Sequence, residues 1–181
     1  MLRWLLPISL PLYVLDQVTK LWVLRRFPPP DEFGHGEEIP VIDGFFWLHR
    51  LHNTGVAFGK FNGGAYSNWI FGGISAVAFI AITVLWHKDA FPTRLGKLAA
   101  VLLLSGIAGN LTDRLAHGYV VDFLQFRLGP LYAKISGSEF FPSFNVADSC
   151  ICVAAALLFI TAWQTPNPAK KLADNAAERQ I

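Results

Sequence analysis

Four aspartates lie within or against apolar stretches of this sequence, where an ionisable group is costly unless it is paired or used. They are Asp16, Asp113, Asp122 and Asp148. Two carboxyl groups in unlike environments, one favoured as the acid and one as the anion, can hydrolyse a peptide bond by acid–base catalysis. The pair formed by Asp122 and Asp148 is favoured, because both flank the same long connection and neither has a cation near it in sequence. The spacing alone leaves the other pairings open.

The surroundings of these two acids differ. Asp122 interrupts the apolar run 120–124, and burial without a counter-ion raises the pKa of an acid. Asp148 stands three residues after Asn145, the spacing of a capping box in which the acid accepts a hydrogen bond from the N–H of the cap residue. That position is also close to the positive end of the helix dipole, which favours a carboxylate. Asp148 is therefore interpreted either as a structural cap or as a general base.

A third acid, Asp16, has a cation four residues further on. Lys20 follows it in the acid-before-base order that suits an ion pair within one helix. The preferred interpretation is a structural ion pair that holds this helix to its neighbours. A catalytic part for Asp16 is the alternative.

Small and polar residues recur at helical spacing later in the chain. Gly106, Asn110 and Arg114 are four residues apart and share one helical face, and Gly109 beside them permits a close backbone approach. Asp113 and Arg114 point apart, so each needs a partner elsewhere. This face is interpreted either as a helix–helix contact or as part of a site. In the second case Asn110 and Arg114 would hold a substrate backbone or an acid.

The composition identifies the setting in which these residues act. Of 181 residues, 53% are hydrophobic and 15% are charged, against about 25% charged in soluble domains. Two cysteines exclude a disulfide scaffold, and a net charge of +2 is too small to indicate nucleic-acid binding. The five scattered histidines form no metal-binding motif, so no metal and no cofactor is expected. The chain is predicted to be a small integral membrane protein.

Four segments approach the about 20 apolar residues that a spanning helix needs. They cover about residues 4–24, 68–86, 95–115 and 146–163. They predict a single membrane domain over residues 1–181, with a polar tail at 165–181. The first segment also has features of a cleaved signal peptide, but its apolar run continues to Leu24, which favours a retained helix. Lys and Arg are concentrated in short stretches on the side of the two termini, which predicts that both termini are cytoplasmic.

The long connections carry strand signals. Asp43-Gly44 separates two apolar runs, as the turn of a hairpin does, and residues 119–126 are rich in β-branched and aromatic side chains. The predicted fold class is therefore an all-α polytopic membrane protein with four transmembrane helices and a small extracytoplasmic β-sheet subdomain.

Five ordered motifs resemble those of the lipoprotein signal peptidases, the bacterial signal peptidase II family, over nearly the whole chain. They are Asp16–Lys20, Asn53–Phe58, Gly106–Arg114, Val120–Phe123 and Phe144–Ser149. The resemblance implies a membrane aspartic peptidase with Asp122 and Asp148 as its catalytic dyad. The substrate-binding or site-supporting residues that it implies are Asn53, Gly55, Gly106, Asn110, Arg114, Asn145 and Asp16.

The same resemblance implies a substrate and a location. The substrate is a prolipoprotein whose lipobox cysteine bears a diacylglyceryl group, and cleavage falls immediately before that cysteine. The enzyme is multi-pass in the bacterial inner membrane, with its active site near the outer face and an extramembrane sheet within residues 37–67. It contacts membrane lipid, binds no nucleic acid and is expected to be a monomer. Residues 28–38 and 127–141 form longer stretches than the family usually shows.

Two other classes of function compete with a peptidase. A proton-coupled transporter or channel would use intramembrane acids as a relay, but it predicts internal repeats and acids near mid-segment. A non-enzymatic assembly factor would use the face of Gly106 and Asn110 for helix packing alone. Processing of a precursor in detergent, with no partner and no energy source, separates the three.

Overall fold

The computed structural model describes residues 1–31, 36–55 and 65–164. Helices and strands follow one another in the order α1 (Leu2–Trp4), a π-helical stretch (Leu5–Ser9), α2 (Leu10–Arg26), β1 (Glu38–Ile42), β2 (Phe46–Asn53), α3 (Ala65–His87), α4 (Arg94–His117), β3 (Val120–Phe126), α5 (Pro130–Ser136) and α6 (Val146–Gln164). The part of the predicted extramembrane region at 56–64, including the end of the motif Asn53–Phe58, and the predicted tail at 165–181 lie outside the described residues.

Three of the described helices are long and apolar enough to cross a membrane. They are Tyr66–His87, Arg94–His117 and Val146–Gln164. The predicted count of four spans is not confirmed, because the N-terminal segment is divided into α1, the π-helical stretch and an α2 of 17 residues. That segment also carries Asp16 and Lys20, which are both buried against the rest of the protein.

The helix α4 lies at the centre of the helical part and contacts α2, α3 and α6. It begins at a Thr93 cap, whose hydroxyl accepts from Gly96 N at 2.9 Å, and it ends before Gly118, which adopts a φ of +82°. Against α6 it presents Gly106 and Gly109. A Cβ added at Gly106 would collide with the Ala147 carbonyl, so the absence of a side chain allows the two helices to approach closely.

The N-terminal helices are tied to α4 by hydroxyl groups. Ser9 Oγ donates to Val101 O at 2.7 Å, and Ser105 Oγ donates to Ser9 O at 3.1 Å. By contrast, among the described helices and strands, α3 packs against α4 alone. The backbones of α3 and of the N-terminal helices therefore stand on α4 apart from each other, as two walls.

A three-stranded antiparallel sheet covers one end of the helices, with the strand order β1-β2-β3. The hairpin between β1 and β2 turns at Gly44, which has a φ of +71°. Asn53 pairs with Val120, and Leu51 pairs with Asp122. The predicted boundary of 37–67 for the sheet subdomain is therefore too narrow, because its third strand comes from the connection between α4 and α6. The strand signal at 119–126 had indicated that strand.

The short helix α5 lies inside a stretch that the sequence analysis treated as loop. It begins at Pro130 and ends at Gly137, which has a φ of +79°. Proline at the first helical position and glycine just past the last are the usual end signals of a helix. A seven-residue helix is too short to show a hydrophobic periodicity, and for that reason the pattern missed it.

Candidate active site

Asp122 lies on β3, at the end of the sheet nearest the helices, and only 1% of it is exposed. Its two oxygens accept from two different amides. Asn53 Nδ2 donates to Asp122 Oδ2 at 2.9 Å, and Asn145 Nδ2 donates to Asp122 Oδ1 at 2.8 Å. Because Asn53 is the last residue of β2, the pairing of β2 with β3 brings its side chain to this acid.

Asp148 lies in the first turn of α6, in the capping box that the sequence predicts. Asp148 Oδ2 accepts from the backbone N–H of Asn145 at 3.2 Å, and Asp148 N donates to Asn145 Oδ1 at 2.9 Å. The other oxygen, Oδ1, accepts from Asn110 Nδ2 at 2.7 Å. The cap therefore holds the carboxylate while Asn110 of α4 orients it from outside the helix.

Asn145 joins the two acids. It is completely buried, and its side-chain Nδ2 contacts Asn110 Oδ1 at 3.1 Å and Val121 O at 3.3 Å in addition to Asp122. One residue thus contacts both carboxyl groups, that of Asp122 through its side-chain amide and that of Asp148 through its backbone N–H. Of the possible pairings of the four acids, the structure brings Asp122 and Asp148 together in this way.

The environment of Asp122 changes its acidity. Burial, together with the nearby charge of Asp148, raises the pKa of Asp122 to about 7, against the smaller opposing effects of the hydrogen bond from Asn53, the charge of Lys20 and the hydrogen bond from Asn145. Burial penalises the charged form of an acid, and a second carboxylate nearby does the same. The raised pKa agrees with the sequence-based expectation for an acid in an apolar run.

A buried ion cluster lies beneath this pair. Lys20 Nζ lies 2.8 Å from Asp16 Oδ2 and 3.1 Å from Asp113 Oδ2, and it donates to Asn110 Oδ1 at 2.9 Å. Asp113 Oδ2 also accepts from the backbone N–H of Val121 at 2.9 Å. The cluster therefore fixes both Asn110, which holds Asp148, and the residue beside Asp122.

Asp16 has a second contact that explains its position. Its Oδ1 accepts from the backbone N–H of Ala147 at 2.9 Å, at the start of α6. A Cβ added at Gly109 would come within 2.5 Å of Asp16 Oδ2, so glycine is needed to admit the carboxylate. These contacts favour the interpretation of Asp16 as a structural ion pair over a catalytic part.

Arg114 lies on the far side of the site, half-buried, and its partners are few. Its guanidinium stands over the Phe71 ring at 5.9 Å from the centroid, and Nη1 donates to Asn110 O at 3.4 Å. Within the part of the chain that the structure describes, the buried Nε has no hydrogen-bond partner. Gly55, which has a φ of +92°, lies against the same Phe71 ring, and a Cβ there would collide with it. Its N–H donates to Asn53 Oδ1 at 2.8 Å.

Sequence reasoning missed two of the residues that support the site. Lys20 was expected to pair with Asp16 only, and its contacts with Asn110 and Asp113 depend on how α2 packs against α4. Gln17 was given no role in the site, yet its Nε2 contacts Asp16 Oδ2, Gly109 O and Asp113 Oδ1 at 3.1, 3.2 and 3.3 Å. A polar residue directly beside a buried acid in an apolar helix was the available signal for Gln17.

Apolar helices of spanning length define a polytopic membrane protein, and at one end of them Asn145 links the buried Asp122 to the half-buried Asp148. Known proteins of this kind match the chain closely. The sequence model described as Signal peptidase (SPase) II matches residues 8–164. The lipoprotein signal peptidase of Serratia proteamaculans is 34% identical over 166 residues, which is 91% of this chain and 89% of that protein. The lipoprotein signal peptidase of Symbiobacterium thermophilum is 39% identical over 147 residues, 81% of this chain and 86% of that protein.

Solved structures agree with these matches. One described as a bacterial membrane enzyme superposes with a TM-score of 0.69 at 27% identity, over 90% of this chain and 92% of that chain. A second with the same description has a TM-score of 0.68 at 28% identity, over 90% and 93% of the two chains. The chain belongs to the signal peptidase II family, and it is a peptidase of the bacterial inner membrane.

Proposed function

We propose that this protein is a membrane aspartic endopeptidase with Asp122 and Asp148 as its catalytic dyad. It removes the signal peptide from diacylglyceryl-modified prolipoproteins by cutting immediately before the lipidated cysteine. Family membership supports signal-peptide removal from prolipoproteins. The observation that carries the aspartic mechanism is Asn145, which contacts both carboxyl groups at once.

The two acids share one proton across a lytic water, and they titrate as a unit. The ionised carboxylate removes a proton from the water, whose oxygen attacks the scissile carbonyl carbon. The protonated carboxyl donates its proton to the carbonyl oxygen, which forms a neutral diol without a covalent enzyme intermediate. When the C–N bond breaks, one proton passes to the leaving amine of the cysteine and the other returns to the dyad. The raised pKa of Asp122, about 7, suits a carboxyl that must carry a proton at neutral pH.

Amide side chains keep the dyad in position for this exchange. Asn53 and Asn145 hold Asp122, while Asn110 holds Asp148, so neither carboxyl needs to reorganise when the proton moves. The buried ion cluster of Asp16, Lys20 and Asp113 anchors Asn110 through Lys20 and is a supporting element. Fixed polar groups of this kind lower the barrier because they are oriented before the charge develops.

Arg114 is the residue that we assign to the substrate backbone. Its Nε–H has no acceptor within the described residues, so it is available to a carbonyl of the extended precursor. A groove of about 280 Å³ beside it runs between α3 and α4, lined by Asn68, Gly72, Gly73 and Leu111 among others. The glycines leave room there for an acyl chain, whose burial contributes about 0.8 kcal/mol per methylene. Seating the lipid beside Arg114 selects which peptide bond meets the acids.

Four transmembrane helices, including the N-terminal one, with both termini in the cytoplasm complete the proposal. In that orientation the dyad and the sheet lie near the outer surface of the membrane. Water is available there, whereas the hydrocarbon core excludes it. The enzyme acts as a monomer without a cofactor.

The test is processing of one lipidated precursor by the purified protein in detergent, with product masses measured by mass spectrometry. Asp122→Asn and Asp148→Asn should each abolish the product while the protein stays inserted and folded. Asp43→Asn, on the exposed hairpin turn, is the matched control and should cut normally. Substantial cleavage by the Asp122→Asn variant would refute the assignment of Asp122 and Asp148 as the catalytic dyad. An unlipidated precursor should be cut poorly, and equal cleavage of both precursors would refute the role of the lipid.

A further inference from the structure

A second amphiphilic cavity lies at the end of the helices opposite Asp122 and Asp148. The dyad contacts the C-terminal half of α4 through Asn110, whereas this cavity includes Lys97 near the start of the same helix. A helix of this length spans about 35 Å. The basic end of the cavity therefore lies away from the dyad, although its apolar part reaches Ala108 of the same helix. Its assignment rests on the proposed membrane orientation and not on the catalytic roles of Asp122 and Asp148.

The polar part of this cavity is basic and aromatic. It has a volume of about 190 Å³ and is lined by Arg3, Trp4, Trp86, Asp89, Phe91 and Lys97. Within the described part of the chain, the side chains of Arg3 and Lys97 take part in no hydrogen bond or ion pair. The single acid, Asp89, leaves an excess of positive charge. Arg94 lines an adjoining cavity that also includes Arg3 and Trp4, which increases that excess.

The apolar part is a groove that adjoins the basic cavity and runs along the helices. It has a volume of about 390 Å³ and lies in the gap where α3 and the N-terminal helices both stand on α4 with their backbones apart. Leu6 and Leu10 form one wall, Phe79 and Thr83 form the other, and Ala108 contributes to the floor. Met1 lines both parts, so the basic cavity and the apolar groove adjoin. Two of the three α4 residues in the floor, Ser105 and Ala108, are small, which leaves room above them.

We propose that this cavity and groove bind one anionic phospholipid of the bilayer, with its phosphate at Arg3 and Lys97 and an acyl chain in the groove. Unpaired cations between helices, flanked by tryptophans at the membrane interface, are the features that recognise an acidic headgroup. A signal peptide is a poorer occupant. Its own basic n-region would meet Arg3 and Lys97 at the same end of the membrane. The lipid fills the gap between α3 and the N-terminal helices that the protein leaves empty of side chains.

The test measures lipid retention by the full-length protein in detergent, using native mass spectrometry with equal amounts of phosphatidylglycerol and phosphatidylcholine of identical acyl chains. The wild-type protein should retain phosphatidylglycerol preferentially. Each basic residue near an anionic surface contributes about fivefold in binding, so Arg3→Gln with Lys97→Gln should lower that preference by about 25-fold. The matched control is Arg25→Gln with Lys134→Gln. It removes the same charge from exposed positions outside the cavity and should leave the preference unchanged.

A second variant tests the groove separately from the charges. Thr83→Phe adds bulk to one wall of the groove and should reduce retention of both lipids, with the basic residues intact. Equal retention of the two lipids by the wild-type protein would overturn the assignment without any variant. An undiminished preference for phosphatidylglycerol in the variant with Arg3→Gln and Lys97→Gln would also overturn it. If a basic signal peptide is added to the same assay, its preferential binding to the wild-type protein and the loss of that binding in Thr83→Phe would overturn it as well.

Discussion

Removal of the buried ammonium of Lys20 tests how the ion cluster supports the site. Lys20 is 2% exposed, and its two carboxylate partners, Asp16 and Asp113, are 1% and 2% exposed. With Lys20 present the three groups carry one net negative charge, whereas Lys20→Met leaves two buried carboxylates side by side. Loss of one member of a buried ion pair costs about 3–5 kcal/mol, because the remaining charge has no compensation. For a chain of this size that corresponds to about 6–20 °C in the unfolding midpoint.

The same substitution also reaches the dyad. Asn110 Oδ1 loses the 2.9 Å hydrogen bond from Lys20 Nζ and keeps the one from Asn145 at 3.1 Å, so the amide that holds Asp148 is less firmly oriented. Thermal unfolding in detergent measures the first effect, and precursor processing well below the unfolding temperature measures the second. We expect both to fall.

A compensating variant makes the outcome decisive. Asp16→Asn combined with Lys20→Met removes one of the two uncompensated charges, and the asparagine oxygen can still accept from Ala147 N. It should recover about half of the lost stability. Lys134→Met, on the exposed surface of α5, controls for the loss of a lysine. If Lys20→Met were as stable as Lys134→Met, or if adding Asp16→Asn made it less stable still, the cluster would not hold the site together electrostatically.

Four further outcomes follow from the same geometry. Asn145→Ala should reduce processing by about 10- to 100-fold, because hydrogen bonds to charged groups contribute about 1.5–3 kcal/mol. Asn68 donates from its Nδ2 to Arg114 O, and Asn68→Ala should reduce processing much less. Burial lowers the pKa of His52 to about 4, so this residue has lost its proton well below neutral pH and does not contribute to the alkaline fall in kcat/KM. That fall should follow the loss of the shared proton at Asp122, with an apparent pKa near 7. The free energy of unfolding should drop by up to about 4 kcal/mol from pH 4 to 7, because the Asp122 carboxyl ionises in this range in the unfolded chain but keeps its proton in the folded one. The Asp122→Asn variant should show a smaller dependence on pH. Gly109→Ala should destabilise the protein and lower processing together, whereas Gly36→Ala, whose added Cβ would meet only ordinary contacts with Pro30, should do neither.

Local chemistry made part of this site predictable. The reciprocal hydrogen bonds of Asn145 and Asp148 follow from a three-residue spacing, and the ion pair of Asp16 and Lys20 follows from a four-residue spacing. Both are contacts within one turn of helix. The hairpin at Asp43-Gly44 and the strand at 119–126 were readable for the same reason, because the signal and the structure occupy the same few residues.

Contacts between distant segments were not predictable in this way. The hydrogen bond from Asn53 to Asp122 depends on the register between β2 and β3, which contains an irregularity between Leu48 and Leu51. Nothing local to Asn53 reports that register. The contacts of Lys20 with Asp113 and Asn110 likewise depend on the rotation of α2 against α4. The sequence marked these polar residues as needing partners, and only packing decides which partners they receive.

The arrangement also explains why so many polar groups are tolerated at the edge of an apolar bundle. Each carboxylate here has a fixed donor: Asp16 has Lys20 and Ala147 N–H, Asp113 has Lys20 and Val121 N–H, and the two dyad acids have asparagine amides. A cation directly beside Asp122 would favour its ionised form and lower its pKa. Neutral amides orient the acid without removing its proton to the same extent. The lysine is instead kept one layer away, where it compensates the structural acids. Satisfying buried charge and preserving a protonated carboxyl are opposed requirements, and the separation of the ammonium from the dyad by Asn110 meets both.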